Sequence, residues 1–381
     1  MSNILVISPV PTHPSTMGNR TRIYELTRLL TRLGHVVYFM HVEREASDVN
    51  LMRAEWKERY LRVPYTEPYD AFANFRRKVA RKLGLGCAYR YGIDDWYDPA
   101  TDDYIQRFLS NNQVDVVIVE YVFMSRALLQ LPAHIFKIID THDVLANRDK
   151  RFTANNMRPT WFSCSQREET KGLNRADVVI AIQNQEAKHF NSTTSTKVVT
   201  VGHPVELYKA PADQIIKGRI LLISSANLIN VESAHWLINS VLPLIQKKCP
   251  GAELAIGGTI CQRLTPTPGV RLLGPLDKLS PVYASAQVVV NPMRFGTGLK
   301  IKSIEALGHA RPLITTTCGS EGLDQSRSDA FRIADEPKLF AQAVIGLLTE
   351  PKSAVEMGER GYRYAERFNA DIEGSIKSVI T

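Results

Sequence analysis

The residues best suited by type and spacing to do chemistry lie between Asn291 and Leu307. An apolar run ends at Asn291; Arg294, Gly296, Thr297, Gly298 and Lys300 follow in a loop, and Glu305 lies on the helix expected after it. Glycines ahead of a helix start let an anion approach backbone N–H groups at the positive end of the helix dipole. Arg294 and Lys300 flank the loop and can neutralise a diphosphate. Glu305, about two turns into the helix, is a carboxylate able to accept two sugar or ribose hydroxyls. Lys302, three residues before Glu305, reads first as a surface ion-pair partner of that glutamate. The run is neither a GxxxxGK[ST] phosphate loop nor a GxGxxG dinucleotide fingerprint.

Two other places carry candidate chemistry. Gly18 and Asn19 stand where the first strand's loop meets a helix, a position from which a backbone amide could touch a phosphate or an acceptor hydroxyl. An equal reading is that Gly18 only lets the loop turn. Asp140, Thr141, His142 and Asp143 close the strand Phe136–Ile139, at the sheet edge where ligands of open α/β folds gather. His142 could orient a sugar or hydrogen-bond a developing charge. Asp143 is the second candidate for that role, and Asp140 the candidate anchor of the turn.

The elements that must position these residues form two α/β series. Asn3–Val10, Val36–Val42, Val114–Val119, Phe136–Ile139, Asp177–Ile182 and Val198–Val201 read as buried parallel strands, with a helix over Arg20–Leu33 ending at Gly34. The sequence turns polar from Glu206 to Gly218, which marks a boundary. A second series has strands Arg219–Ser224, Glu253–Ile256, Val270–Leu273, Gln287–Asn291 and Pro312–Thr315, and helices near Glu232–Lys248, Lys300–His309, Pro337–Leu348 and Ser353–Phe368. The expected fold is α/β, two Rossmann-like domains with an interdomain cleft, over 1–212 and 213–360. A C-terminal helix, 361–381, is expected to return to the first domain.

Composition fits this reading. In 381 residues, 44% are hydrophobic and 23% charged, values of a folded globular protein. The five cysteines, Cys87, Cys164, Cys249, Cys261 and Cys318, have no metal-ligand spacing and read as reduced thiols. No run is long and apolar enough to cross a bilayer and no signal peptide is visible; the expected location is the cytoplasm, with peripheral contact at the inner face of the membrane. The net charge of +8 favours an anionic partner. A basic segment from Arg76 to Arg90 holds six cations, with no acid between Asp70 and Asp94. Phe72, Phe75, Val79 and Leu83 recur there at helical spacing, a pattern that could lie on an anionic membrane or serve as a solvated helix. No module for nucleic acid is recognisable.

The run from Arg294 to Lys302, continuing through Glu305-Ala-Leu-Gly-His-Ala-Arg-Pro-Leu-Ile-Thr-Thr to Gly319-Ser-Glu-Gly-Leu323, resembles the GT-B fold glycosyltransferases related to glycosyltransferase family 4, and the likeness extends over residues 3–370. The resemblance implies that Glu305 contacts the nucleotide ribose, that the loop amides and Lys300 hold the donor diphosphate, and that Glu321 lies near the donor sugar or nucleotide. Ser225, Asn227 and Asn230 resemble the loop after the first donor-domain strand. His142-Asp143 resembles the family's HD position, which favours a functional His142. Two features depart from the pattern: Thr297 stands where the earlier of two glutamates is usual, and Ser224–Ser233 lacks the usual basic pair. The implied activity is transfer of a sugar, with retention, from a nucleotide-diphosphate donor to a glycan, lipid-linked or protein hydroxyl. The donor enters as a co-substrate, and no metal or other cofactor is expected. The alternatives are a nucleotide-sugar epimerase on the same scaffold and a non-catalytic anion- or nucleic-acid-binding protein.

Overall fold

The computed structural model describes residues 1–15, 17–68, 70–154, 158–159, 161–276, 278–296, 299–324 and 329–380. Among them the chain divides into two compact units: residues 1–15, 19–201 and 375–380 form the first, residues 17–18 and 202–374 the second. The division falls between Val201 and Gly202, upstream of the 212/213 boundary expected from composition.

The first unit contains a sheet of seven strands: β1 (Asn3–Ser8), β2 (Val36–Val42), β3 (Tyr60–Val63), β4 (Val116–Glu120), β5 (Phe136–Asp140), β6 (Val178–Ala181) and β7 (Lys197–Thr200). Their order is β3-β2-β1-β4-β5-β6-β7 and every pairing is parallel. Residues of both parities along β1 and β4 are buried, as they must be where helices cover both faces of a parallel sheet. The second unit repeats the plan with β8 (Arg219–Ile223), β9 (Glu253–Gly257), β10 (Val270–Gly274), β11 (Val288–Asn291), β12 (Leu313–Thr315) and β13 (Arg332–Ile333), in the order β10-β9-β8-β11-β12-β13. Its core lies in two layers. Ile220, Leu222, Val288 and Val290 point into one, while Leu221 and Val289 point into the other, the two-residue alternation of a strand.

In such a doubly wound sheet the chain leaves the central strands in opposite directions, and a crevice opens at their carboxyl ends. That point lies between β1 and β4 in the first unit and between β8 and β11 in the second. The candidate residues gather at the ends of β4 and β5, and of β8, β11 and β12.

Four elements differ from the sequence reading. β3 and β13 are short edge strands, and β3 carries an arginine, so neither shows the apolar run of a central strand. The helix expected over Glu232–Lys248 is a helix at Leu228–Trp236, a π-helical turn at Leu237–Val241 and a helix at Leu242–Lys248. Pro243, near the start of the last piece, has no N–H for the i−4 ladder, and the turn widens just before it. The final helix runs unbroken from Pro351 to Val379, so the helix expected at Ser353–Phe368 and the C-terminal helix expected over 361–381 are one element. No described helix is long and apolar enough to cross a membrane.

Candidate functional site

In the second unit, β11 ends at Asn291, which is buried and ties three segments together. Its Nδ2 donates to Ser303 Oγ at 2.8 Å and to the Gly319 carbonyl at 3.2 Å. Ser303 Oγ also donates to that carbonyl at 2.7 Å, and Thr315 Oγ1 donates to the Asn291 carbonyl at 3.0 Å. The strand end, the helix Ile301–Gly308 and the turn Cys318–Ser320 are therefore locked to one another. Gly319 must be glycine for packing, because a Cβ there would stand 2.2 Å from Thr315 Oγ1 and 2.8 Å from the Asn291 carbonyl.

Lys300 immediately precedes the helix and is buried; its ammonium donates to Glu321 Oε2 at 2.8 Å. Two residues expected at one donor site thus meet directly. Gly296 has φ +138°, a conformation open to glycine, and its missing Cβ would stand 3.9 Å from Lys300 Nζ. Thr297 and Gly298 lie outside the described residues. Two amides at the helix start are engaged within the unit: the Lys300 N–H donates to the Glu321 carbonyl at 3.3 Å and that of Ile301 to the Leu299 carbonyl at 3.1 Å. Arg294 is exposed, and its guanidinium lies 5.7 Å from the centre of the Trp236 ring.

Lys302 differs most from expectation. It turns inward from the helix, and its ammonium donates to Ser224 Oγ and Asn230 Oδ1, each at 3.0 Å. Burial, with Lys300 close by, lowers its pKa to about 7. Asn230 is held by Asn227, whose side chain caps the helix Leu228–Trp236 by accepting from the Asn230 N–H at 2.8 Å, and Asn230 Nδ2 donates back to Ser225 Oγ at 3.0 Å. A cation therefore stands against the loop after β8, the loop whose own sequence lacks one. A lysine two residues into a helix, facing the strand ends, was the available signal. Glu305 is partly buried and accepts from the Tyr283 hydroxyl at 3.2 Å, so it is an oriented carboxylate.

The first unit presents a second cluster. Glu120 ends β4 directly opposite Asp140, which ends β5. Both are fully buried. His142 Nε2 lies 2.5 Å from Glu120 Oε2 and 3.9 Å from Asp140 Oδ2. Burial, then the negative charge of Asp140, pushes the Glu120 carboxyl pKa up. Arg22 is buried on the other side of Asp140, with Nε 3.1 Å from Oδ2 and Nη2 3.3 Å from Oδ1, and Nη2 also donates to the Val201 carbonyl at 2.9 Å. The carboxylate and imidazole ligand atoms of Glu120, Asp140 and His142 lie within 4.8 Å of one another, a spacing compatible with a cation. Both oxygens of Asp140 already face the Arg22 guanidinium, which supplies positive charge there.

His142 has φ +61° and Tyr121 φ +69°, left-handed conformations that cost a non-glycine residue and concentrate at functional sites. Their rings stack at 4.2 Å. The Tyr121 hydroxyl accepts from Asn19 Nδ2 at 3.1 Å, and Gly18 opens the same helix, Gly18–Arg32. Asn19 and His142 are thereby linked through a tyrosine that sequence reading did not single out. Asp143 is committed locally: Oδ1 accepts from the Val144 N–H at 2.8 Å and Oδ2 lies 3.5 Å from Arg148 Nε.

Residues 217–350 match the family model for glycosyl transferases group 1. A relative from Klebsiella pneumoniae, described as an uncharacterized 44.6 kDa protein in the cps region, is 22% identical, with 91% of this chain and 90% of the relative covered. Among solved structures, sucrose-phosphate synthase from Thermosynechococcus elongatus has a TM-score of 0.68 at 14% identity, covering 100% of this chain and 98% of its own. HepE from Anabaena, solved with UDP and glucose, has a TM-score of 0.65 at 13% identity, covering 99% and 100%.

Proposed function

We propose that this chain, with its GT-B fold and a match to the glycosyl transferases group 1 model over residues 217–350, is a glycosyltransferase whose second unit binds a nucleotide-diphosphate sugar. The sugar then passes to a hydroxyl of a glycan, lipid-linked or protein acceptor with retention at the anomeric carbon. The acceptor oxygen bonds to that carbon as the bond to the leaving diphosphate breaks, and the acceptor proton passes to the leaving phosphate oxygen. Negative charge grows on the diphosphate, so fixed cations are the groups that accelerate the step. The observation that carries this reading is the pair Lys300 and Lys302, bracketing the start of the helix Ile301–Gly308 at the carboxyl end of β11.

Each residue has a role in the proposal. Lys302 supplies the charge absent from the loop after β8, and Lys300 exchanges Glu321 for the diphosphate. Glu305, held by Tyr283, takes the ribose hydroxyls, and Asn227 shapes the loop beside them. Arg294 and Glu321 lie at the edge of the donor. His142 hydrogen-bonds the transferred sugar or its developing charge, while Glu120 and Tyr121 position its ring. Asp143 supports that turn. With two lysines present the proposal needs no metal or further cofactor. The lipid-linked acceptor class extends the proposal to peripheral contact with an anionic membrane surface.

A thermal-shift panel of UDP, GDP, dTDP, ADP, CDP and CMP tests the donor site, with UDP first because the HepE structure holds it. One diphosphate is expected to stabilise the fold by about 2.7 kcal/mol at a hundred times its Kd. A flat panel contradicts the proposal.

A further inference from the structure

We propose that the helix Ala71–Lys82, with the turn through Leu85, is a docking surface for an anionic lipid bilayer. It deepens the membrane contact named with the proposed function by assigning it to one helix, and its evidence, the exposed face of that helix, is independent of the donor chemistry. The helix is firmly started, since Asp70 Oδ1 accepts from the N–H groups of Phe72 and Ala73, each at 2.9 Å. None of its residues is buried. At about 100° per residue, Phe72, Phe75, Val79 and Leu83 fall within about 80° of arc. They are 70%, 64%, 39% and 66% exposed, and Leu85 beyond them is 48% exposed.

The face that attaches the helix to its unit is the polar one. Arg77 Nη1 donates to Asp95 Oδ2 at 3.0 Å, Nη2 donates to Asn74 Oδ1 at 2.8 Å, and the guanidinium lies 4.5 Å from the centre of the Tyr91 ring. Ordinary amphipathic helices bury their apolar stripe and expose their charges; this one is mounted the other way round. A stripe of aromatic and branched side chains held outward marks an interaction surface.

The charges around the stripe identify the occupant. Arg76 and Lys82 flank it on opposite sides, with Lys78 and Arg81 farther round. Among the described residues none of these four forms an ion pair. No acidic residue occurs between Asp70 and Asp94. Apolar side chains flanked by unneutralised cations match a bilayer surface, where phosphate headgroups overlie acyl chains. The stripe is one side chain wide and convex, without the groove a peptide helix would need.

Flotation of the full chain with phosphatidylcholine vesicles, with and without phosphatidylglycerol, tests this. The parent is expected to partition into the anionic vesicles at least about tenfold more than into the neutral ones, with the difference shrinking as salt rises. Phe72→Ser/Phe75→Ser and, separately, Arg76→Glu/Lys82→Glu should each reduce that partitioning about tenfold. Both should leave the melting temperature and nucleotide binding unchanged, because the altered side chains touch solvent. Failure of the parent to float with anionic vesicles overturns the proposal, whether or not a protein partner is later found for this face. Equal partitioning with both vesicle types, or a Phe72→Ser/Phe75→Ser variant that floats like the parent, overturns it as well.

Discussion

At the scale of single residues, burial and charge set the behaviour of both clusters. Lys302 is the clearest case. A lysine whose pKa is lowered to about 7 carries its charge below that pH and loses it above, whereas in the unfolded chain it stays charged to about 10.4. Nucleotide-sugar affinity should therefore fall as pH rises from about 6 to about 8, and Lys302→Met should abolish the slope. Calorimetric titration with a nucleotide sugar, which lacks a terminal phosphate titrating in this range, reads it. A slope that persists in Lys302→Met would assign the proton elsewhere. In the first unit, His142→Ala should lower turnover about a hundredfold with donor affinity nearly unchanged; unaltered turnover would leave His142 a structural residue. Arg22→Met removes one partner of a fully buried pair and leaves Asp140 charged beside Glu120, which should cost about 3–5 kcal/mol of stability by denaturant titration. A cost below 1 kcal/mol would contradict the burial of that pair.

At the scale of elements, the central strands and the helix Ile301–Gly308 were legible because their chemistry is repetitive: β-branched runs for strands covered on both faces, and two glycines ahead of a helix. The edge strands β7 and β10 still carry apolar runs, but β3 and β13 are short, each holds an arginine and neither has such a run, and they were missed for that reason. Side-chain direction was harder still. Lys302 and Glu305 have the spacing of a surface pair, yet packing turns the first into the unit and the second towards Tyr283. Arg22 shares a helical face with Leu26, Leu29 and Leu30, and Glu120 ends a purely apolar strand. A charge in either setting calls for a buried partner, but the partner comes from another element and no local pattern names it. The locking of the strand ends makes its own prediction. Gly319→Ala places a methyl against Thr315 Oγ1 and the Asn291 carbonyl, and should lower stability by about 1–3 kcal/mol. An unchanged denaturation midpoint would show that the turn is looser than these contacts imply.

At the scale of the whole molecule, two sheets with the central order of a doubly wound fold place one cluster of candidate side chains in each unit. The second holds cations and an oriented carboxylate, and the first holds a strained histidine on buried acids. The two α/β series were legible from the sequence because glycine loops, strand runs and helix starts are local; the activity class came only from the family resemblance of Arg294–Leu323. The partners of Lys300, Lys302, Glu120 and Arg22 required the fold itself. The central claim is that Lys300 and Glu305 hold the donor nucleotide, and its most direct test is the Kd of the nucleotide diphosphate selected by the thermal panel, measured by calorimetry on the parent, Lys300→Ala and Glu305→Ala. Loss of a charge-assisted hydrogen bond should weaken binding about tenfold or more in each variant, with melting temperatures close to the parent's. Parent-like affinity in both variants would contradict the account and place the donor elsewhere.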